Sequence, residues 1–214
     1  MPWLYRIAGT VFPPFFNGRT RWTGTEHLPE GGFVLAANHL SNVDPFILGM
    51  PLWPRRHIRY MAKAELFTRW LGWAMRAIGT FPVRRGEADA DAMRTALQLL
   101  RDGEVIGMFP EGTRARKGLR KKHVAQAHAG TARIALSAGV PLVPAAIAGT
   151  DRLLGRGPIA IAFGPPIDVG DLEGLPRRKA ASVATERLMT AIASLASSID
   201  ARVDGGDGGD GGDG

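Results

Sequence analysis

Phe33-Val34-Leu35-Ala36-Ala37-Asn38-His39 follows the turn signal Pro29-Glu30-Gly31-Gly32. Its five apolar residues, with no polar residue alternating, are the pattern of a short strand buried on both faces. The run stops at Asn38-His39. Asp44-Pro45 then opens a helix-like stretch, Phe46-Ile47-Leu48, with Asp44 placed as an N-cap and Pro45 at the first helical position. A buried strand feeding a helix is the repeating unit of an α/β fold.

Outward from this stretch the same alternation recurs. Residues 58–62, 80–83, 105–109, 142–147 and Ile159–Phe163 read as short strands. Residues 65–78 read as one helix, with Leu66, Phe67, Trp70, Leu71, Trp73, Ala74 and Ala77 around much of its circumference, too apolar for a solvated surface. Residues 89–101 form a clearer amphipathic helix carrying Ala92, Met93, Ala96, Leu97 and Leu100, stopped by Asp102-Gly103. Residues 130–137 end a helix closed by Gly139, and 178–199 form a last helix. There is no internal repeat. The expectation is a single α/β domain whose largely parallel sheet is flanked by helices on both faces.

The chain has 214 residues, 45% of them hydrophobic, which is enough for one substantial core. It has no Cys, which excludes a disulfide scaffold, a thiolate metal site and a Cys nucleophile, and suits a reducing cytosol. Its net charge is +7; Asp204, Asp207, Asp210 and Asp213 sit in the tail, so residues 1–203 carry 27 basic against 16 acidic residues, or +11. Such a field favours phosphate-rich partners: an anionic membrane surface, a phosphorylated metabolite or nucleic acid.

Arg6, Asn17 and Arg19 interrupt the apolar start, so no bilayer-spanning helix is expected there. Met1 to Arg6 lacks the layout of a signal peptide, which points to a cytoplasmic protein. Trp3, Leu4, Tyr5, Phe12, Phe15 and Phe16, with Arg6, Arg19 and Arg21 nearby, fit either a membrane-interfacial segment over residues 1–20 or aromatics packed back on the domain. The folded body is then 21–203, and the Gly-Gly-Asp repeats of 204–214 read as a flexible tail.

In an α/β domain, polar groups at the carboxyl ends of the strands converge on one crevice. The first strand end carries Asn38-His39 and, five residues after the His, Asp44. If Asp44 accepts from His39 Nδ1–H, Nε2 is left able to take a proton from an alcohol, and the nucleophile can be a substrate hydroxyl. A plain helix cap is the competing role for Asp44, and the two are compatible. Arg84-Arg85 follows the strand 80–83. Glu111-Gly112-Thr113-Arg114 follows 105–109, where a tight turn can aim backbone N–H groups and Arg114 at an anion. An Arg–Glu pair bracing two loops is the alternative there. Lys63 follows 58–62 with the same logic as Arg85. Metal-ligand spacing is lacking: His123 and His128 have no third partner, and His27 and His57 are isolated.

Asn38-His39-Leu40-Ser41-Asn42-Val43-Asp44, Phe81-Pro82-Val83-Arg84-Arg85-Gly86, Phe109-Pro110-Glu111-Gly112-Thr113-Arg114 and Val140-Pro141-Leu142-Val143-Pro144 together resemble the four ordered blocks of the glycerolipid acyltransferases. The likeness is greatest to the 1-acylglycerol-3-phosphate (lysophosphatidate) acyltransferases, and Met61-Ala62-Lys63-Ala64-Glu65-Leu66 resembles a further stretch between the first two blocks. The resemblance implies transfer of a fatty acyl group from acyl-CoA or acyl-carrier protein, as co-substrate and with no other cofactor, to the free hydroxyl of a lysophosphatidate. It implies His39 as general base and Asp44 as its partner. It also implies that Arg85, Glu111 and Gly112, with Lys63, Thr113 and Arg114, position the acceptor phosphate. The tetrahedral oxyanion then needs donors, expected among backbone N–H groups near the catalytic loop. Other acceptors remain open: a lysophospholipid, glycerol 3-phosphate or a lyso-aminolipid. A non-enzymatic basic module for membranes or nucleic acid is the other class, suggested by the basic run 114–122. That run has no interleaved aromatics, which disfavours nucleic acid and favours an anionic lipid surface or an acidic carrier protein.

Overall fold

The structure is a computed structural model, and it describes residues 18–68, 71–84, 89–111, 129–155 and 157–204. Seven strands form one sheet: β1 (Thr20–Thr23), β2 (Phe33–Ala37), β3 (Ile58–Lys63), β4 (Phe81–Val83), β5 (Val105–Met108), β6 (Leu142–Ala148) and β7 (Ile159–Phe163). Five α-helices accompany them among the described residues: α1 (Asp44–Gly49), α2 (Leu71–Ala77), α3 (Ala90–Arg101), α4 (Gly130–Ala138) and α5 (Arg177–Asp204). Strand order is β1-β7-β6-β2-β5-β3-β4. β2, β3, β4, β5 and β6 run parallel, so their carboxyl ends share one edge, whereas β7 is antiparallel to β6 and β1 is parallel to β7.

β2 lies mid-sheet between β6 and β5, and all five of its residues are fully buried. Phe33, Leu35 and Ala37 join a core with Ile47, Leu48 and Leu52 from α1 and the turn after it. Val34 and Ala36 face the opposite core, closed by Ala96 and Leu100 of α3, Ala132 and Ala135 of α4, and Ala184 and Leu188 of α5. Helical segments therefore cover both faces, which is why β2 shows no polar alternation. The small residues of α4 and α5 let these helices lie close on the strands, and α5 packs heavily on β6 and α4.

Two expectations are corrected, and one strand that no expectation covered is added. Residues 65–78 are not one helix: Ala64–Leu66 makes a single 3₁₀ turn closed by Phe67 N–H on the Ala64 carbonyl, Phe67 and Thr68 are not helical, and the described part of α2 is Leu71–Ala77. A sequence apolar around most of its circumference has no single stripe to set a helix axis. Tertiary contacts decide instead, such as Arg76 lying over the Phe67 ring at 5.5 Å. Nor is this segment wholly withdrawn from solvent, since Leu66 and Trp73 are exposed. Secondly, Asp44 is the first residue of α1 rather than its cap; the cap position is Val43, without a side-chain bond, and the Asp44 carboxylate turns back to Leu40 and Ser41. Thirdly, β1 carries too little apolar signal to be read from sequence, being buried only at Thr20. It exists because its backbone completes the edge of β7. Among the described residues, no helix is long and apolar enough to cross a membrane. The N-terminal aromatics, the basic run and residues 205–214 of the Gly/Asp tail lie outside the described residues, and Asp204, counted with that tail, is the last residue of α5.

Candidate active site

The site grows from the end of β2. Beyond Ala37 and its partner Ala145 the ladder between β2 and β6 stops, and the Asn38 side chain takes over. Its amide donates to the Ile147 carbonyl at 2.9 Å and accepts from Ile147 N–H at 2.8 Å, so β6 stays clamped to the segment that carries His39.

His39 Nδ1 lies 2.8 Å from Asp44 Oδ2; its side chain is 18% exposed, whereas that of Asp44 is fully buried. The same Oδ2 accepts from Leu40 N–H at 2.6 Å and Ser41 N–H at 2.8 Å, and Oδ1 accepts from the Thr150 hydroxyl at 2.6 Å. A buried carboxylate is tolerated when donors surround it in this way. With Nδ1–H donating to it, the imidazole keeps its lone pair on Nε2, and a positive ring would find a compensating charge beside it. The amides of Leu40 and Ser41 are occupied by Asp44, so the backbone N–H groups nearest His39 are not the ones that would receive an oxyanion.

Packing fixes the ring plane. Phe109, directly after β5, stacks on the His39 imidazole with centroids 4.2 Å apart and an interplanar angle of 21°. Tyr60 of β3 stacks beyond Phe109 at 6.0 Å and donates its hydroxyl to the Pro45 carbonyl at 2.8 Å, tying the start of α1 to β3. Tyr60 reaches this place across Gly107, where a Cβ would stand 2.3 Å from its Cε1. Any larger residue on β5 at that point would displace the stack.

His39 and Asp44 are thus brought together as expected. Lys63, the last residue of β3, is exposed, and Glu111, just past β5, is half-buried; the parallel strands carry both to the edge where His39 sits. Arg84 is engaged with Asp89, its backbone N–H donating to Asp89 Oδ2 at 2.8 Å and its guanidinium 3.7 Å from the same oxygen. Arg85, Gly112, Thr113 and Arg114 lie outside the described residues.

Asn38 and Phe109 stood inside the quoted blocks without a role, and Thr150 was missed. The available signal was Gly149-Thr150 directly after a fully apolar strand, the same signature that marked Asn38-His39.

The family model described as Acyltransferase matches residues 19–148, from just before β1 to the end of β6. The chain belongs to the Acyltransferase family. Among its acyltransferase relatives, the 1-acyl-sn-glycerol-3-phosphate acyltransferase of Bacillus subtilis is 35% identical over 204 residues, covering 92% of this chain and 99% of that protein. The enzyme of the same name from Streptococcus pneumoniae is 32% identical over 73% of this chain and 59% of its own length. The crystal structure of the 1-acyl-sn-glycerophosphate (LPA) acyltransferase PlsC from Thermotoga maritima shares the acyltransferase fold, with a TM-score of 0.64 at 24% identity over 90% of this chain and 78% of that one.

Proposed function

We infer that the protein is a 1-acylglycerol-3-phosphate O-acyltransferase, moving a fatty acyl group from an acyl thioester to the free hydroxyl of 1-acylglycerol 3-phosphate and giving phosphatidic acid. The observation that carries this is the His39–Asp44 pair, its carboxylate buried and fully engaged, in a chain that matches a 1-acyl-sn-glycerol-3-phosphate acyltransferase along almost the whole length of both.

In this mechanism His39 Nε2 takes the proton of the acceptor hydroxyl as its oxygen bonds to the thioester carbonyl carbon, and the carbonyl π pair moves to oxygen. Asp44 holds the ring tautomer and stabilises the imidazolium. Collapse of the tetrahedral intermediate breaks the C–S bond, and the leaving thiolate takes the proton back from His39. The acceptor phosphate is gripped by Arg85, Arg114 and the turn at Gly112 and Thr113, with Lys63 assisting from the end of β3, while Glu111 orders the site or accepts from a substrate hydroxyl. The donor is acyl-CoA or acyl-carrier protein.

The acceptor and product both reside in bilayers, so the protein works as a peripheral protein on the cytoplasmic face of the cell membrane. The aromatic residues of 1–16 insert at headgroup depth, and the basic run 114–122 meets anionic phosphates. Thioester cleavage, followed as free thiol with and without lysophosphatidate, tests the activity. The expected result is thiol release that requires the acceptor and matches the phosphatidate formed; acceptor-independent cleavage, or none, overturns the assignment. Vesicle co-sedimentation that is stronger on anionic lipid, weakens with salt and falls on deletion of residues 1–16 supports the membrane placement; binding insensitive to all three overturns it.

A further inference from the structure

We propose that Thr150 is a positioning residue for acyl transfer, its hydroxyl locking the rotation of the Asp44 carboxylate so that Oδ2 stays on His39 Nδ1. The proposal rests on His39 acting as the general base. The terminal torsion of an Asp side chain is broad, and rotation about Cβ–Cγ would carry the oxygen away from the imidazole. The amides of Leu40 and Ser41 hold Oδ2, the oxygen His39 also uses, so every bond from the catalytic loop falls on one side of the carboxylate. Thr150 supplies the second fixed point, at 2.6 Å on Oδ1, a length typical of a hydroxyl bound to a charged acceptor.

That point is referenced to the sheet rather than to the catalytic loop. Thr150 is 1% exposed and follows Gly149, whose φ of +84° turns the chain sharply off β6; the Pro158 carbonyl lies 2.2 Å from where a Cβ on Gly149 would stand. The turn therefore admits glycine and little movement. β6 is itself clamped to the His39 segment by Asn38. The hydroxyl and the imidazole consequently hold the two oxygens of one carboxylate from two adjacent strand ends.

The test is a cycle of Thr150→Val, Thr150→Ser, Asp44→Asn and the Asp44→Asn/Thr150→Val pair. Each is assayed for phosphatidate formation, with folding checked by thermal melting. Thr150→Val keeps the side-chain shape and removes the donor. We expect kcat to fall about 10-fold or more, with KM for lysophosphatidate changed less than about twofold, and Thr150→Ser to recover most of the loss. In the Asp44→Asn background, Thr150→Val should cost nothing further, because its effect passes through Asp44. A folded Thr150→Val with wild-type kcat, a loss confined to KM, or an undiminished loss in the Asp44→Asn background would each overturn the proposal. If Thr150→Val does not fold, Thr150→Ala takes its place in the cycle. His39→Ala separates the two levels: wild-type turnover there sinks the general-base reading, whereas an inactive His39→Ala beside a fully active Thr150→Val sinks only the role of Thr150.

Discussion

His39 and His57 each stand just outside a strand, one past the carboxyl end of β2 and the other directly before β3, at the opposite end of the parallel array. Their surroundings differ accordingly. His39 is partly exposed and faces a carboxylate; His57 is 4% exposed and lies 3.1 Å from the Ile78 carbonyl. Burial pushes His57 down to about 4, against its ordinary 6.5, although the Ile78 carbonyl opposes the shift. A carbonyl dipole orients a neutral ring but cannot balance a charged one, whereas a carboxylate can. The comparison teaches that a histidine's chemistry is set by which end of the sheet it occupies, since loops bearing acids and donors converge at the carboxyl end.

The largest expected effect breaks the comparison at its functional end. His39→Ala should lower kcat by about 10²–10⁴-fold with a near wild-type melting temperature, measured by phosphatidate formation and circular dichroism. A folded variant of unchanged turnover would place His39 in the same class as His57. Asp44→Asn follows. The amide oxygen can take the place of Oδ2 and its NH₂ can donate to the Thr150 hydroxyl, so the protein should fold while losing on the order of 10²-fold or more in kcat. If activity persists, the ring needs orientation but no compensating charge.

The third test falls on His57. Between pH 6.5 and about 4 the unfolded chain protonates this histidine and the folded one does not, so stability is full above 6.5 and is lost as pH falls towards 4. The loss is about 3 kcal/mol at most. Denaturant melts at stepped pH should show it, and His57→Gln should flatten that part of the profile while leaving kcat within about twofold of wild type. An unchanged pH profile in the variant would mean that other groups carry the acid sensitivity.

Smaller again, Arg85→Ala or Arg114→Ala should raise KM for lysophosphatidate about 10-fold while sparing thioester use, since each removes a phosphate partner. An equal loss on an acceptor without phosphate would make these arginines loop braces. The smallest effect sharpens a second contrast, between two aspartates at helix starts. Asp89 caps α3 by accepting from Asp91 N–H and Ala92 N–H, and these bonds, with Arg84 N–H foremost, hold its carboxyl below the usual range. Asp89→Ala should lower the melting temperature slightly and leave turnover intact. Any marked loss of activity would show that the loop before α3 shapes the site.

Those two aspartates show how far local pattern reaches. Asp89 and Asp44 both precede an apolar helical run; a cap is the expectation stated for Asp44, whereas Asp89 is read as the first helical residue. In the structure Asp89 is the cap. Asp44 is not, because Leu40 N–H, Ser41 N–H, the His39 ring and the Thr150 hydroxyl offer its carboxylate four donors. The buried strand Phe33–Ala37, the amphipathic α3 and the meeting of His39 with Asp44 were legible because each depends on residues within about two helical turns of one another. The helix expected over 65–78 was not, since an all-round apolar pattern has no preferred face.

From the sequence alone follow a mostly parallel α/β sheet, the strand end that carries His39, and the acid five residues on that reaches its Nδ1. Tertiary structure alone decided that β7 and β1 run against the other five strands and that Asn38 clamps Ile147 across 109 residues. It also decided that Phe109 stacks on the imidazole and that Thr150 holds Asp44 across 106 residues. The reason is one of range. Periodicity and turn chemistry act over a few residues, whereas a bond between distant segments exists only after the sheet has set strand order and register and left a buried carboxylate with lone pairs to satisfy.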